Sequence, residues 1–358
     1  MKKVLVANIF GIGDVLFTTP LIANLKKSIE GVSVDYLCNA RTKDIVKGSP
    51  DVDEIFVYEK DDYVKLWKRS KIGCLTALRE LFSSIRRRKY DTVFDFTLSR
   101  KFGLFFKLAG IPRRVGLDYR KRGIFLTDRV PLTGFEGRHV VEYYLDLLRC
   151  AGVPVSVREM ELVPDEAALE WARKYLKRKG IEKERLVAVI PGGGASWGPQ
   201  AFRKRWEAAG FSRAADILVG QGLKVALFGD QSETDLCRSV SDNMAEECAI
   251  AENTLTLERY IALLSRCAVV LCNDGGPLHV AAALGVKTVS IFGPVDEKVY
   301  GPYPGSDRHK VIVAREVPCR PCYNRFRLPE CGYDNRCLTN ITPETVAKAC
   351  VKLLKEDR

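Results

Sequence analysis

Apolar positions along the chain switch between two spacings. "KKVLVANIF" opens with a short run rich in β-branched residues, turns through glycines, and passes into "LIANLKKSIE", whose apolar residues recur at helical intervals. That is a strand, a loop and a helix. The unit returns as the strand-like "VSVDYLCNA" and "DEIFVYEK", the helix-like "LTALRELFSSIRRRKY", the strand-like "DTVFDFTLS", and a closing helix in "VEYYLDLLRCAGV". Alternation of this kind predicts an α/β architecture, with a parallel sheet wrapped in helices.

Residues 151–165, "AGVPVSVREMELVPD", carry two prolines and no helical period, as suits a linker. "DEAALEWARKYLKRKG" then reads as a helix ending at Gly180. A second series follows with cleaner strands: "RLVAVIPGGG", "LKVALFGD", "AVVLCND" and "VKTVSIFGP", separated by the helical "FSRAADILVGQG", "LERYIALLSRC" and "LHVAAALG". At 358 residues the chain exceeds what one core usually supports. Two doubly wound, Rossmann-like domains are therefore expected, residues 1–155 and 156–340, facing one another across a cleft. A last helix within 341–358 is expected to pack back on the first.

Composition narrows the class. No apolar run reaches the roughly 18 residues of a membrane-spanning helix, and the N-terminus turns glycine-rich too early for a signal peptide, so a cytoplasmic location is expected. The 12 cysteines, spread through a long chain, then read mostly as reduced, buried thiols. The formal charge is +12, and residues 81–130 hold 13 Lys or Arg against 4 Asp. Such a segment favours an anionic partner: nucleic acid, a phosphorylated or carboxylated ligand, or an acidic membrane surface.

Three strands of the second half end in loops suited to anions. "VIPGGGASW", "LFGDQSE" and "CNDGGPLH" free backbone N–H groups to approach phosphate, and the last opens a helix whose N-terminus favours negative charge. Together they point to a nucleotide or sugar-nucleotide site.

At these residues a resemblance appears. "NDGGPLHVAAALGVKTVSIFGPVD", "PGGGASWGPQAFRKRW" and "GIGDVLFTTPLIANLKK" resemble glycosyltransferase family 9, which includes the lipopolysaccharide heptosyltransferases, over nearly the whole chain. The resemblance implies the GT-B fold, an acceptor domain followed by a nucleotide-sugar donor domain, and inverting transfer with no catalytic metal. It gives Asp14 the role of catalytic base. It places Lys204 at the donor diphosphate with Trp206 beside it, Asp274, Gly275, Gly276 and His279 on the donor loop, and Glu233 at the nucleoside ribose. Position 275 is Gly where many relatives carry Ser or Thr, and Val295 and Glu297 stand where "GPTDP" is common, which bears on donor identity.

Those residue types suit the chemistry. An acceptor hydroxyl loses its proton as it attacks the anomeric carbon, so a carboxylate within reach serves as general base. The leaving diphosphate gains charge, which a lysine, a helix N-terminus and backbone N–H groups can stabilise. Taken singly, Asp14 is as readily a helix N-cap, Lys204 a solvated lysine and His279 a structural histidine. Their joint order and spacing favours the functional reading.

Two further features stand out. Cys319, Cys322, Cys331 and Cys337 are spaced C-x2-C-x8-C-x5-C, which suits a structural zinc or an iron site, or four reduced thiols. In the basic segment, Arg100, Lys101, Arg113, Arg114, Arg120, Lys121 and Arg122 form a positive rim. Arg120, Lys121 and Arg122 are its candidate contacts with an anionic, lipid-linked acceptor and with the inner leaflet, which predicts a peripheral location on the cytoplasmic membrane face. Two other activities fit parts of the pattern. A nucleotide-sugar epimerase could share the donor loops. An NAD-dependent dehydrogenase could use "GIGDVL", but Leu16 replaces the last glycine of its fingerprint and Asp35 falls inside a strand. Nucleic acid is not an expected partner, since no recognition helix or aromatic platform is visible.

Overall fold

A computed structural model describes residues 1–181, 186–252 and 255–356. The chain divides into two compact units, Met1–Phe135 with Val140–Leu162, and Glu136–His139 with Val163–Arg358.

The first unit is built on a parallel sheet of β1 Lys3–Ala7, β2 Ser33–Cys38, β3 Glu54–Val57, β4 Thr92–Asp95, β5 Arg113–Tyr119 and β6 Asp128–Leu132, in the order β3-β2-β1-β4-β5-β6. Its central strands are buried on both faces, as helix-covered parallel sheets require, so Val4, Leu5, Val6, Val93 and Phe94 are fully enclosed. In register, Val4 stands opposite both Val34 and Thr92. Helix Lys71–Arg87, capped by Ser70, buries Ile85 against Leu5, Leu37, Val93 and Phe106.

The second unit repeats the winding with β7 Leu186–Ile190, β8 Lys224–Phe228, β9 Ile250–Glu252, β10 Val269–Asn273, β11 Lys287–Ile291 and β12 His309–Ile312, ordered β12-β11-β10-β7-β8-β9. Both sheets therefore start at a centre strand, run to one edge, and resume on the other side. The strand order reverses between β1 and β4 and between β7 and β10, the places where such sheets bind ligands. The α/β expectation of two doubly wound units is borne out.

Several details follow from single residues. Helix Glu166–Arg178 starts where Asp165 accepts from the Ala168 N–H at 2.8 Å, and stops before Gly180, whose φ of 64° is left-handed. The stretch read as a linker is bound into the first unit. Asn24, fully buried, accepts from the Ser156 and Val157 N–H groups and donates to the Val157 carbonyl. That places the division after Leu162. The last helix, Pro343–Lys355, buries Val346, Ala347, Cys350 and Leu353 in the second unit's core beside Val187, Leu271 and Val289. Its apolar stripe is thus consumed there. Strands β5, β6, β9 and β12 carry weak signals in sequence: β5 opens on two arginines, and the edge strand β6 contains Pro131.

Candidate active site

In the first unit, Asp14 lies in a short helix, Ile12–Leu16, that follows the carboxyl end of β1. It is not the N-cap; Gly11 is. The Asp14 carboxylate reaches back to accept from the Gly11 N–H at 3.2 Å, a half-buried position in a turn held by buried amides. Asn8 donates to the Asp14 carbonyl at 2.9 Å and accepts from the Phe10 N–H at 3.0 Å. Asn39, at the end of β2, donates to the carbonyls of Ile9 and Phe10. Gly11 has φ −76°, open to any residue, so this glycine is not needed for a left-handed turn.

Arg120, Lys121 and Arg122 form an exposed turn at the carboxyl end of β5, with Arg120 and Lys121 in left-handed conformation. The Arg120 and Arg122 guanidiniums lie 4.9 and 5.7 Å from the Tyr119 ring centroid, and Gly123 N–H donates to Asp118. The basic segment is not a uniform rim. Arg113 pairs with Asp128 at 2.9 Å, and Arg114 donates to the carbonyls of Ile111, Pro112 and Phe125. Arg88 grips Asp35, which is fully buried on β2 and also accepts from Tyr90. These charges are spent inside the fold, and Asp35 has no oxygen turned toward a ribose.

One acid in this unit was not anticipated. Asp95 ends β4, almost fully buried, and accepts from the Thr97 N–H and hydroxyl at 2.9 and 2.7 Å. Burial pushes its carboxyl up to about 6, against the lowering effect of Thr97. It shares a small pocket with Ser99, Leu117, Arg122 and Phe125. The signal was an aspartate set in the apolar run "TVFDF".

In the second unit the loops after β7, β8 and β10 are tied together by buried polar side chains. Glu233, in the turn after β8, accepts from the Gly193 N–H at 2.7 Å and from Arg205 at 3.1 Å, while Arg205 also donates to the Gly193 carbonyl. A Cβ at Gly192 would lie 2.1 Å from the Glu233 carboxylate, so glycine is required there. Gly193 and Gly194 both have left-handed φ, 99° and 73°. Asn273, at the end of β10, accepts from the Trp206 N–H at 2.9 Å and donates to the carbonyls of Pro191 and Gly192. Glu233 is thus engaged with its own loops. Arg205 and Asn273, which hold those loops, have no distinguishing pattern in a single sequence.

Lys204 and Asp274 form a buried ion pair at 2.6 Å. The Lys204 ammonium also lies 4.8 Å from the Trp197 ring centroid. Trp197 is therefore the aromatic beside this lysine. Trp206, expected there, is a core residue instead: it is 1% exposed, packs edge-on to Phe211, and donates to the Ile341 carbonyl. Gly275 precedes helix Gly276–Ala283 with φ 158° and ψ −169°, a region open essentially to glycine. Gly276 opens the helix, and His279 is buried in its second turn. Burial first, then His139 and Lys204, hold its imidazole well below the usual histidine value, so it is neutral at pH 7. Asp274, Gly275, Gly276, His279 and Lys204 are thus brought together at the carboxyl ends of β7 and β10.

The four cysteines of the C-terminal cluster are electrostatic neighbours, but the expected structural zinc or iron gains no support. Among the described residues no group of three or more His, Cys, Asp or Glu side chains is disposed to hold a metal ion. Cys337 is buried in the core and Cys319 packs against it, whereas Cys331 is exposed. Burial, then the neighbouring Cys322 and Cys319 thiols, pushes the Cys337 thiol up to about 11. The segment instead braces the site. Arg320 donates to the Gly293 and Val295 carbonyls and pairs with Glu297 at 3.0 Å, and Arg203 donates to the Pro329 carbonyl.

Two doubly wound units, the second with basic, glycine-lined loops at its strand ends, make the fold that of an α/β protein of the glycosyltransferase kind. Residues 78–331 match the family model described as glycosyltransferase family 9 (heptosyltransferase), and the chain belongs to that family. It is 25% identical to lipopolysaccharide heptosyltransferase 2 of Salmonella typhimurium over 99% of each chain. Among solved structures it is similar to the family 9 glycosyltransferase of Veillonella parvula, with TM-score 0.82 and 23% identity over 99% of this chain and 97% of that one. It is also similar to the E. coli ADP-heptose lipopolysaccharide heptosyltransferase II, with TM-score 0.76 and 22% identity over 100% and 99%. The GT-B fold of such enzymes is the fold observed here.

Proposed function

We propose that this glycosyltransferase moves a heptose from ADP-heptose onto a lipopolysaccharide-core acceptor, with inversion, without a catalytic metal, at the cytoplasmic face of the inner membrane. The observation that carries the reading is the Lys204–Asp274 pair, set beside Trp197 at the mouth of the glycine loops with neutral His279 behind it. An arriving diphosphate competes with Asp274 for the Lys204 ammonium, and the helix N-terminus at Gly276 and the N–H groups near Gly194 take up the charge that grows as the leaving group departs. No metal is needed for that role. His279, being neutral, offers one N–H and carries no charge of its own to the phosphates. Glu233 is assigned to the nucleoside side of the same loops. Likeness to the E. coli ADP-heptose lipopolysaccharide heptosyltransferase II supports an ADP-heptose donor and a lipopolysaccharide acceptor.

Asp14 is the base. Its carboxylate sits in a turn fixed by two buried asparagines, and the acceptor hydroxyl gives up its proton to it during attack on the anomeric carbon. Arg120, Lys121 and Arg122 meet anionic groups of the acceptor. Asp14→Asn is expected to lower transfer by about 10²–10⁴-fold. ADP-heptose should still raise the melting temperature of that variant as it does for the wild type. Radiolabelled transfer and thermal-shift assays measure the two. Transfer at the wild-type rate, or no shift with ADP-heptose in either protein, overturns the reading.

A further inference from the structure

The helix Lys60–Arg69 has no buried residue, an uncommon state for an element of a packed α/β unit. It and the start of helix Lys71–Arg87 form a hairpin through Ser70, whose hydroxyl caps the second helix by accepting from the Gly73 N–H. One side of the hairpin is anchored. Tyr63 stacks on Tyr58 at 4.9 Å, and the buried Cys74 thiol donates to the Tyr63 carbonyl. The other side presents large apolar side chains to solvent: Val64 is 45% exposed, Trp67 47%, Ile72 79% and Leu75 57%. Val64 and Trp67 are three residues apart on one helix, as are Ile72 and Leu75 on the next, so each pair shares a face.

Cations lie beside these four residues, with the exposed acids Asp61 and Asp62 confined to the first turn of helix Lys60–Arg69. Lys65, Lys68, Arg69 and Lys71 are all exposed, and the Lys71 ammonium lies 5.9 Å from the Trp67 ring centroid, across the hairpin turn. Among them Lys65 meets an acid, Asp62, at 3.8 Å on the open surface. Only Tyr58 and Glu59 separate β3 from the first helix, so the hairpin leaves the carboxyl edge of the sheet, the same edge from which the Asp14 turn and the Arg120–Arg122 turn emerge.

We propose that this hairpin is a membrane-docking surface, and that Trp67, Ile72, Val64 and Leu75 enter the interfacial region of an anionic bilayer while Lys65, Lys68, Arg69 and Lys71 meet lipid phosphates. Tryptophan at the boundary, aliphatic residues beside it, and lysines whose stems lie along the apolar surface with their heads in the phosphate layer match that environment. Charge selects a bilayer over a second copy of the chain. A two-fold contact would set four cations against four, and lysine is depleted from protein interfaces. The inference deepens the lipid-linked acceptor reading above and rests on it for its purpose: the edge that holds the acceptor turns would lie on the membrane that carries the acceptor.

The test reads binding without turnover, so it stands apart from the fate of the sugar-transfer reading. The full chain is floated with phosphatidylglycerol-rich vesicles and with pure phosphatidylcholine vesicles. Preference for the anionic vesicles is expected, falling steeply with salt. The double variant Trp67→Ser, Ile72→Ser should lose about tenfold or more in partitioning. Lys65→Glu with Lys68→Glu should lose at least roughly fivefold per position on anionic vesicles and little on neutral ones. Each variant should melt like the wild type, because every altered side chain is exposed. Unchanged flotation of both variants overturns the proposal, as does a dimer in sedimentation that the serine pair dissolves.

Discussion

The ligand loops of the two units are held in opposite ways. In the second unit each loop is bound to another by a buried side chain: Glu233 joins the β8 turn to Gly193, Asn273 joins β10 to Pro191, Gly192 and Trp206, and Lys204 joins the "RKRW" stretch to Asp274. In the first unit the bonds described are mostly local. The Asn8 side chain ties residues 10 and 14 of its own turn, Asn39 secures that turn from β2, and the exposed 120–122 turn lies over Tyr119 with one bond from Arg100 to the Lys121 carbonyl. A cross-linked set of loops is pre-organised for one rigid ligand, and low reorganisation is what electrostatic stabilisation of a leaving group needs. An exposed, basic, locally held edge suits a large and variable partner.

If the contrast is real, the second unit should be fragile toward loss of its polar ties. Lys204→Ala leaves Asp274, 3% exposed, as an unpaired buried carboxylate, so a loss of about 3 kcal/mol is expected, with loss of the thermal shift by donor nucleotide. Adding Asp274→Asn should restore most of the stability but not the nucleotide response. Asp14→Asn, which keeps an oxygen to accept from the Gly11 N–H, should cost less than about 1 kcal/mol. Chemical denaturation measures both. Equal costs would erase the distinction between the units.

A matched pair of asparagines sharpens it. Asn273→Ala orphans one N–H and two carbonyls from two other segments, and about 2 kcal/mol is expected. Asn8→Ala breaks two bonds within six residues of itself, and about 1 kcal/mol is expected, together with reduced transfer because the Asp14 turn loses a support. If Asn8→Ala is the more damaging to stability, the first unit's turn is the more integrated of the two.

The same contrast governs what could be read in sequence. The architecture was legible because the central strands are apolar on both sides and the helices keep their period; β5, opening on two arginines, and the edge strand β6, holding a proline, were not. The glycine loops showed themselves because "PGGG" has few uses other than a left-handed turn, which Gly193 and Gly194 make. What composition does not encode is who uses each polar atom. Trp197 rather than Trp206 faces Lys204, since a buried tryptophan and a ligand-side tryptophan look alike in a string. The positive charge of residues 81–130 overstated the rim, because Arg88, Arg113 and Arg114 satisfy groups of the fold itself. The four cysteines share a segment but divide between core and surface.

Asp95 gives the smallest expected change and the finest probe of the first unit. Its carboxyl is raised from 3.8 to about 6 by burial, so the native state keeps this proton to about pH 6 while the unfolded chain gives it up near pH 4. Between those values the native state binds more protons, so this group's contribution falls as pH rises through the window and stays low above it. The full shift corresponds to roughly 3 kcal/mol. Asp95→Asn should flatten that slope and raise stability at pH 7 by only about 1 kcal/mol, because the new amide N–H group needs a partner of its own while the Thr97 bonds persist. Urea denaturation of both proteins at pH 4 and pH 7 measures the difference. A gain from Asp95→Asn that is no larger at pH 7 than at pH 4 would mean that Asp95 is ionised within the fold, beside the Arg122 that lines the same pocket, and the first unit would then hold a tied, charged site of the kind found in the second.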